Sequence, residues 1–249
     1  MVSNAELSIA STHSKVVIVI PTYNEAGNLT QLFERVSDLT IPDLTLVIVD
    51  DNSSDGTVQV CKDLRYSFRG FVDILCREKK EGIGPAYLVG FHKALSLGAD
   101  VIVQMDADLS HVPEYIPLFL EDLHYADVVI GSRYMKAAGI GKSWNVKRRW
   151  FSHLANMGIR AVIGLSVRDV TSGFKAYTRE SLEKLMHHDF QCAGFAFQTE
   201  IAYGCEYLNL IIKEHQIVFV DRVAGKSKMS LSIILEALLR LFTLRCKKY

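Results

Sequence analysis

The stretch Val16-Val17-Ile18-Val19-Ile20-Pro21-Thr22-Tyr23-Asn24-Glu25 sets an unbroken Val/Ile run directly against a polar turn. A strand with one wet face alternates apolar and polar residues, whereas a run of this kind is expected of a strand buried on both faces. The pattern recurs: Leu44–Val49, Phe71–Leu75, Val101–Met105, Val128–Ile130 and Ile211–Val220 read as further strands. Between them, Gly27–Leu39, Thr57–Arg65, Pro85–Leu97 and Pro113–His124 carry helical spacing. Such alternation implies βαβ units, an α/β class and a mostly parallel sheet flanked by helices. Farther on, Lys147–Ile163, Arg179–His188 and Phe195–Leu208 read as helices, less regularly placed. Ligands of open parallel sheets bind beyond the carboxyl ends of the strands, so the residues just after each strand carry the chemistry.

Composition narrows the classes. The chain has 249 residues, 49% of them hydrophobic, which is ample for a buried core and excludes a disordered tail protein. Its 28 basic and 28 acidic side chains balance, so no whole-chain attraction to nucleic acid exists and any basic site must be local. Cys61, Cys76, Cys192, Cys205 and Cys246 form no CxxC pair, which argues against a zinc cluster or a disulfide framework. Residues 1–14 are polar, without the apolar stretch of a secretory signal, and read as an N-terminal tail. No segment reaches the ~18–20 uninterrupted apolar residues of a membrane span. Met229–Leu244 comes nearest and is interrupted by Glu236 and Arg240.

Three strand ends carry polar, largely acidic turns: Pro21–Glu25, the run Asp50-Asp51-Asn52-Ser53-Ser54-Asp55-Gly56-Thr57, and Asp106-Ala107-Asp108. Taken singly, each reads equally well as helix capping, since Asn24, Asp55 and Ser110 are ordinary N-cap types. Their joint placement at the open end of one sheet points instead to a site. Asp106 and Asp108, spaced i, i+2 on leaving a strand, point the same way. Two hard oxygen ligands suit Mg²⁺ or Mn²⁺, with phosphate oxygens and water completing the shell. A dinucleotide-binding reading fails, because no glycine follows the first strand and Gly82-Ile83-Gly84 has Tyr87 where a third glycine belongs. A P-loop is absent too, so a bound diphosphate must be met by metal and by Arg or Lys.

In order along the chain, IPTYNE, VDDNSSDGT, REKKEGIGPAY, MDADLSH, GSRY, TSGFKAY and DRVAGKSK resemble the family-2 glycosyltransferases of GT-A fold. Within that family they are similar to the dolichyl-phosphate (polyprenyl-phosphate) β-mannosyltransferase branch, over roughly Lys15 to Leu244. The resemblance implies a catalytic domain over 15–228, followed at 229–249 by an amphipathic helix with a basic tail. It implies GDP-mannose as donor and dolichyl or another polyprenyl phosphate as acceptor. Pro21, Tyr23 and Glu25 then line the nucleoside pocket, and Val49 and Asp51 contact the base. Asp106, with the Ala107 backbone alongside, and Asp108 hold the metal; Ser110 stands where some members have a third ligand. Arg133 sits at the reaction centre, and Arg222 and Lys228 reach the donor diphosphate. Arg148 and Ser152, one helical turn apart, hold the acceptor phosphate. Asp108, Arg133 and Arg222 carry the catalysis, and Arg133→Ala is expected to lower kcat by about 10²–10³ with the fold intact. Lys79 and Lys80 lie near the nucleotide, without a catalytic role. Glu200 suits a structural ion pair as well as a substrate contact.

The apolar residues of Ser230–Leu244 suit three settings: packing on the sheet domain, lying at a membrane interface, or docking a small membrane subunit. The resemblance implies peripheral attachment, at the cytosolic face of the endoplasmic reticulum in a eukaryote and at the inner face of the plasma membrane in a prokaryote. Other readings remain. One is transfer from UDP-glucose to a polyprenyl phosphate. A polysaccharide synthase needs a QxxRW motif, and here Val146 stands in place of the Gln before Arg149-Trp150. A non-catalytic nucleotide-sugar-binding subunit is a third, although both acids and all the basic candidates are present.

Overall fold

The computed structural model describes residues 15–135, 146–194 and 196–218, and the side chains of 146–152 lie outside that description. In chain order the elements are β1 (Val16–Thr22), α1 (Ala26–Ser37), β2 (Leu44–Asp50), α2 (Thr57–Leu64), β3 (Phe71–Cys76) and α3 (Ile83–Ser96). There follow β4 (Val101–Gln104), a 3-10 turn (Pro113–Tyr115), α4 (Ile116–Asp122) and β5 (Val128–Ser132). The chain continues through α5 (Val146–Ile163), β6 (Lys175–Thr178), α6 (Arg179–Met186), α7 (Ala196–Tyr207) and β7 (Ile212–Gln216).

The seven strands among the described residues form one sheet in the order β3-β2-β1-β4-β6-β5-β7. All pairings are parallel except those of β6, which runs antiparallel to both β4 and β5. β6 has no signature in the sequence. It is four residues long, opens with Lys175, and is held as a strand by its neighbours rather than by its own composition.

Alternation along β1 assigns each side chain to a layer. Val17 and Val19 join Val47 and Val49 of β2 in a core with Tyr87 and Phe91 of α3, Leu182 of α6 and Phe197 of α7. Val16, Ile18 and Ile20 face the opposite side, where Leu29, Leu32 and Phe33 of α1 and Phe119 near the end of the sheet cover them. The central strands β2, β4 and β5 are buried throughout, as their unbroken apolar runs demand. β3 and β7 are the sheet edges, and there the expectation of two buried faces does not hold: Phe71 and Cys76 are exposed, and Lys213 of β7 is too. β7 is also shorter than the expected strand Ile211–Val220, spanning Ile212–Gln216.

The helix starts correct another expectation. The N-cap positions of α1 and α2 are Glu25 and Gly56, neither of which offers a side-chain cap, and Ser110 caps no helix. Asp55 instead does the work for two elements at once. Its Oδ2 accepts from the Ala26 amide at 3.1 Å and its Oδ1 from the Thr57 amide at 3.0 Å. One carboxylate therefore takes a first-turn amide of each of α1 and α2 and ties together the loops that follow β1 and β2.

Candidate donor and metal site

The carboxyl ends of β1, β2, β4 and β5 all open on the same edge of the sheet, because these strands run in one direction. The sequence-predicted residues Pro21, Tyr23 and Glu25, Val49 and Asp51, Asp106 to Asp108, and Arg133 all lie at these ends. Register places Pro21 beside Val49 and Thr22 beside Asp50. Val49 is fully buried, packed in the core and paired in the sheet with Pro21 and Leu75.

Asp50 is the knot of the first two ends. Its Oδ2 accepts from Thr22 Oγ1 at 2.8 Å and from Ser53 Oγ at 2.6 Å, and its Oδ1 accepts from the Ser53 amide at 2.9 Å. That frees the next residue for other work. Asp51 is buried and accepts from Arg77 Nη1 at 2.7 Å, while the other arm of Arg77 pairs with Glu81. Burial outweighs the arginine, so the Asp51 carboxyl lies above its ordinary range. The Tyr23 ring has Lys80 Nζ 3.6 Å from its centroid, a cation–π contact between two residues that the family resemblance puts near a nucleoside. Gly82, at φ +109°, closes this side; a Cβ there would stand 2.4 Å from the Ala193 carbonyl oxygen. The loop bearing Ala193 is in turn held by Glu200. Its fully buried carboxylate accepts from the Gln191 and Cys192 amides, each at 2.9 Å, which supports the structural reading of this acid.

The turn after β4 is held from several directions. The Asp106 amide donates to His111 Nδ1 at 3.0 Å, and its Oδ1 accepts from the Tyr87 hydroxyl at 2.7 Å. Acting as an acceptor, the His111 ring is neutral, and burial lowers its pKa accordingly. It stacks on Phe174 at 5.1 Å. Asp108 Oδ1 accepts from both the amide (3.1 Å) and the hydroxyl (2.5 Å) of Ser110, so Ser110 orients the acid. Gly173 packs against this turn: a Cβ there would be 3.2 Å from His111 Cε1 and 3.4 Å from Asp106 Oδ2. Among the described residues no group of three or more His, Cys, Asp or Glu side chains is arranged to hold a metal ion. Two aspartates with hard oxygens at one strand end fit a divalent cation that shares its shell with a diphosphate. Asp106 and Asp108 are the residues that would hold it.

Arg133, just past β5, forms a fork on Asp169: Nε to Oδ2 at 2.7 Å and Nη2 to Oδ1 at 2.8 Å, with Nη2 also donating to Thr171 Oγ1 at 2.7 Å. Burial by itself would depress the guanidinium; the charge of Asp169 reverses this and keeps it protonated. Asp169 is fully buried, and Arg133 offsets that burial enough to hold its carboxyl below the ordinary range. Behind both turns lies a closed polar network. Lys175 Nζ donates to Gln198 Oε1 at 2.9 Å and to the Ser172 carbonyl, Gln104 Nε2 donates to Gln198 Oε1 at 2.6 Å, and Tyr177 donates to Gln104 Oε1 at 2.7 Å.

Arg77, Tyr87, His111, Asp169 and Lys175 carry this geometry and have no sequence-assigned role. Each lies inside or beside a quoted motif, which was the available signal. Arg148 and Ser152 fall on α5, with side chains outside the description, and Arg222, Lys228 and the segment Ser230–Leu244 lie outside the described residues.

The profile of Glycosyl transferase family 2 matches residues 17–186. The chain belongs to glycosyl transferase family 2. This family 2 glycosyltransferase is 38% identical over 223 residues to the undecaprenyl-phosphate mannosyltransferase of Micrococcus luteus, covering 90% of each chain. It is 37% identical over 227 residues to the polyprenol monophosphomannose synthase of Mycolicibacterium smegmatis, covering 91% of this chain and 85% of that one. Its fold is that of glucosyl-3-phosphoglycerate synthase from Mycobacterium tuberculosis, crystallised with Mn²⁺, UDP and glucosyl-3-phosphoglycerate. The TM-score is 0.68 at 18% identity, over 94% of this chain and 80% of that one. The GT-A expectation thus holds. No helix among the described residues of the glycosyltransferase is long and apolar enough to cross a membrane.

Proposed function

We propose that this glycosyltransferase moves mannose from GDP-mannose to a polyprenyl phosphate, giving polyprenyl β-D-mannosyl phosphate and GDP; with dolichyl phosphate the product is dolichyl β-D-mannosyl phosphate, a donor for glycosylation. The observation that carries the reading is the likeness, over about nine-tenths of the chain, to two relatives named for mannosyl transfer to a polyprenyl carrier. The site supports it. Asp51, with Arg77 behind it, offers a buried carboxylate to the N–H groups of a base, and the Tyr23 ring offers apolar area beside the nucleoside.

Bound Mg²⁺ or Mn²⁺ supplies charge to offset the departing diphosphate. The chain's own residues do the rest. Asp106 and Asp108 fix where the diphosphate lies. Arg133, Arg222 and Lys228 face the negative charge that grows on GDP, and Arg148 with Ser152 positions the acceptor phosphate. An oxygen of that phosphate attacks the anomeric carbon, the bond from that carbon to the GDP oxygen breaks, and the electron pair leaves on GDP. One displacement inverts the centre. A phosphate nucleophile is already anionic near neutral pH, so no side chain needs to remove a proton.

The lipid acceptor places the reaction at a membrane surface, reached peripherally through Ser230–Leu244 or a small membrane subunit, on the cytosolic face of the endoplasmic reticulum or of a prokaryotic plasma membrane.

Radiolabelled GDP-mannose and UDP-glucose, each offered with dolichyl or undecaprenyl phosphate and Mg²⁺ or Mn²⁺, test the reading. Label from GDP-mannose is expected in the lipid fraction, and chelator abolishes it. Transfer of glucose alone overturns the donor assignment; binding of GDP-mannose without transfer to either lipid overturns the catalytic one.

A further inference from the structure

The reading of Asp106 as a metal ligand leaves a question that the structure answers: what holds this carboxylate in place before a cation arrives. Asp106 leaves a strand end into a turn where Leu109 adopts φ +61°, so its backbone is not part of the sheet ladder. His111 takes the Asp106 amide, which fixes the main chain. The side chain is fixed separately, by the Tyr87 hydroxyl on Oδ1 at 2.7 Å.

Tyr87 is well suited to that task. It is fully buried in α3, one turn into the helix, and its ring stacks on Phe91 (centroids 5.8 Å apart, planes 25° apart) and on Phe197 (6.2 Å, 6°). A close-packed ring has little freedom to turn, which holds the hydroxyl at the acid. The hydroxyl is a hydrogen-bond donor and the carboxylate oxygen its acceptor. With Oδ1 engaged by Tyr87, the second oxygen is directed toward Gly173, the one neighbour in the TSGF segment without a side chain.

We infer that Tyr87 is a positioning residue for the metal site: its hydroxyl orients the Asp106 carboxylate so that Oδ2 is set to bind a divalent cation. The inference rests on the proposed function's assignment of Asp106. Groups in this outer position fix ligand orientation, and their loss typically costs about 10–100-fold in metal affinity.

The test is a Mn²⁺ titration of the full chain followed by electron paramagnetic resonance, with GDP present at saturation. Tyr87→Phe is expected to weaken Mn²⁺ binding by about 10–100-fold, with the circular dichroism spectrum retained. Tyr87 replaced by 4-aminophenylalanine, which keeps a donor at the same ring position, is expected to bind Mn²⁺ more tightly than Tyr87→Phe. Should the phenylalanine variant not fold, 4-methylphenylalanine at position 87, filling the same volume without a donor, replaces it. Unchanged Mn²⁺ affinity in the donor-free variants overturns the inference. Asp106→Asn separates the two claims. If it loses Mn²⁺ while the donor-free variants do not, only the role of Tyr87 falls. If it binds Mn²⁺ like the unmodified chain, the assignment of Asp106 itself is wrong.

Discussion

Arg133 and Asp169, 36 residues apart in sequence, meet in a two-point fork with a fully buried carboxylate beneath a largely buried guanidinium. The arginine expected at the reaction centre is thus also the cationic partner of a buried acid, and the two functions have different energetic consequences. Asp169 is itself set by the chain around it: its amide and that of Arg168 donate to the two oxygens of Glu214, each at 3.0 Å.

Arg133→Ala therefore destabilises the fold, in contrast to the expectation from sequence that the fold stays intact. Removing one partner of a buried pair leaves an uncompensated charge, at a cost of about 3–5 kcal/mol. Urea unfolding is expected to show that loss, and Arg133→Ala with Asp169→Asn to recover part of it. Activity is expected to stay low in both. An unfolding midpoint for Arg133→Ala equal to that of the parent chain contradicts the structural half of this account.

Gly173→Ala tests how closely the turn after β4 is packed. The added methyl would press on His111 Cε1 at 3.2 Å and on Asp106 Oδ2 at 3.4 Å. His111 is clamped on Phe174 and cannot retreat freely, so the shift passes to Asp106. Weaker Mn²⁺ binding, with only a small change in stability, is the expected outcome in a metal titration paired with thermal unfolding.

Arg77→Ala examines Asp51, the acid proposed to face the base. Asp51 already lies above the ordinary carboxylate range because of burial, and Arg77 is what restrains it. Without the arginine its pKa rises further, so the ionised form persists only at higher pH. GDP affinity, measured by calorimetry across pH 5–8, is expected to fall most at the acid end. A parallel fall at every pH would show that Arg77 acts on the nucleotide without passing through Asp51.

Lys175 supplies a signature in alkaline solution. Burial lowers its pKa from 10.5 to about 8. Between those values the unfolded chain holds a proton that the folded chain has released, so this residue makes stability rise with pH across that window, by at most roughly 1.4 kcal/mol per pH unit. Lys175→Met removes the contribution. Comparing urea unfolding of the two chains between pH 8 and pH 10 is expected to show the parent gaining on the variant, and parallel curves count against it.

Asp169 gives a slope of the same sign in acid, where stability falls as pH falls. Arg133 and backbone donors outweigh burial and hold its folded-state pKa below the ordinary carboxylate range. The stabilisation is complete above the unfolded value and is lost as pH falls through the folded one. Asp169→Asn is expected to flatten that part of the acid unfolding curve.

The strands and their direction were legible because burial on both faces writes itself into a continuous run. Val16–Ile20 and Leu44–Val49 could be read as buried without knowing their partners. The acidic turns were legible for the same reason, since polar residues directly after such runs must lie at one end of a parallel sheet. These features depend on neighbours a few residues away. What tertiary structure decided depends on distant ones. β6 is a strand because β4 and β5 flank it, and Lys175 lies in the interior because Gln198 reaches it from 23 residues away. Gln104 and Gln198 meet across 94 residues, and Tyr87 finds Asp106 across 19 by way of a helix packed over the sheet. A hydrogen bond forms where two atoms meet, and local composition carries no record of a meeting that only the folded layers bring about.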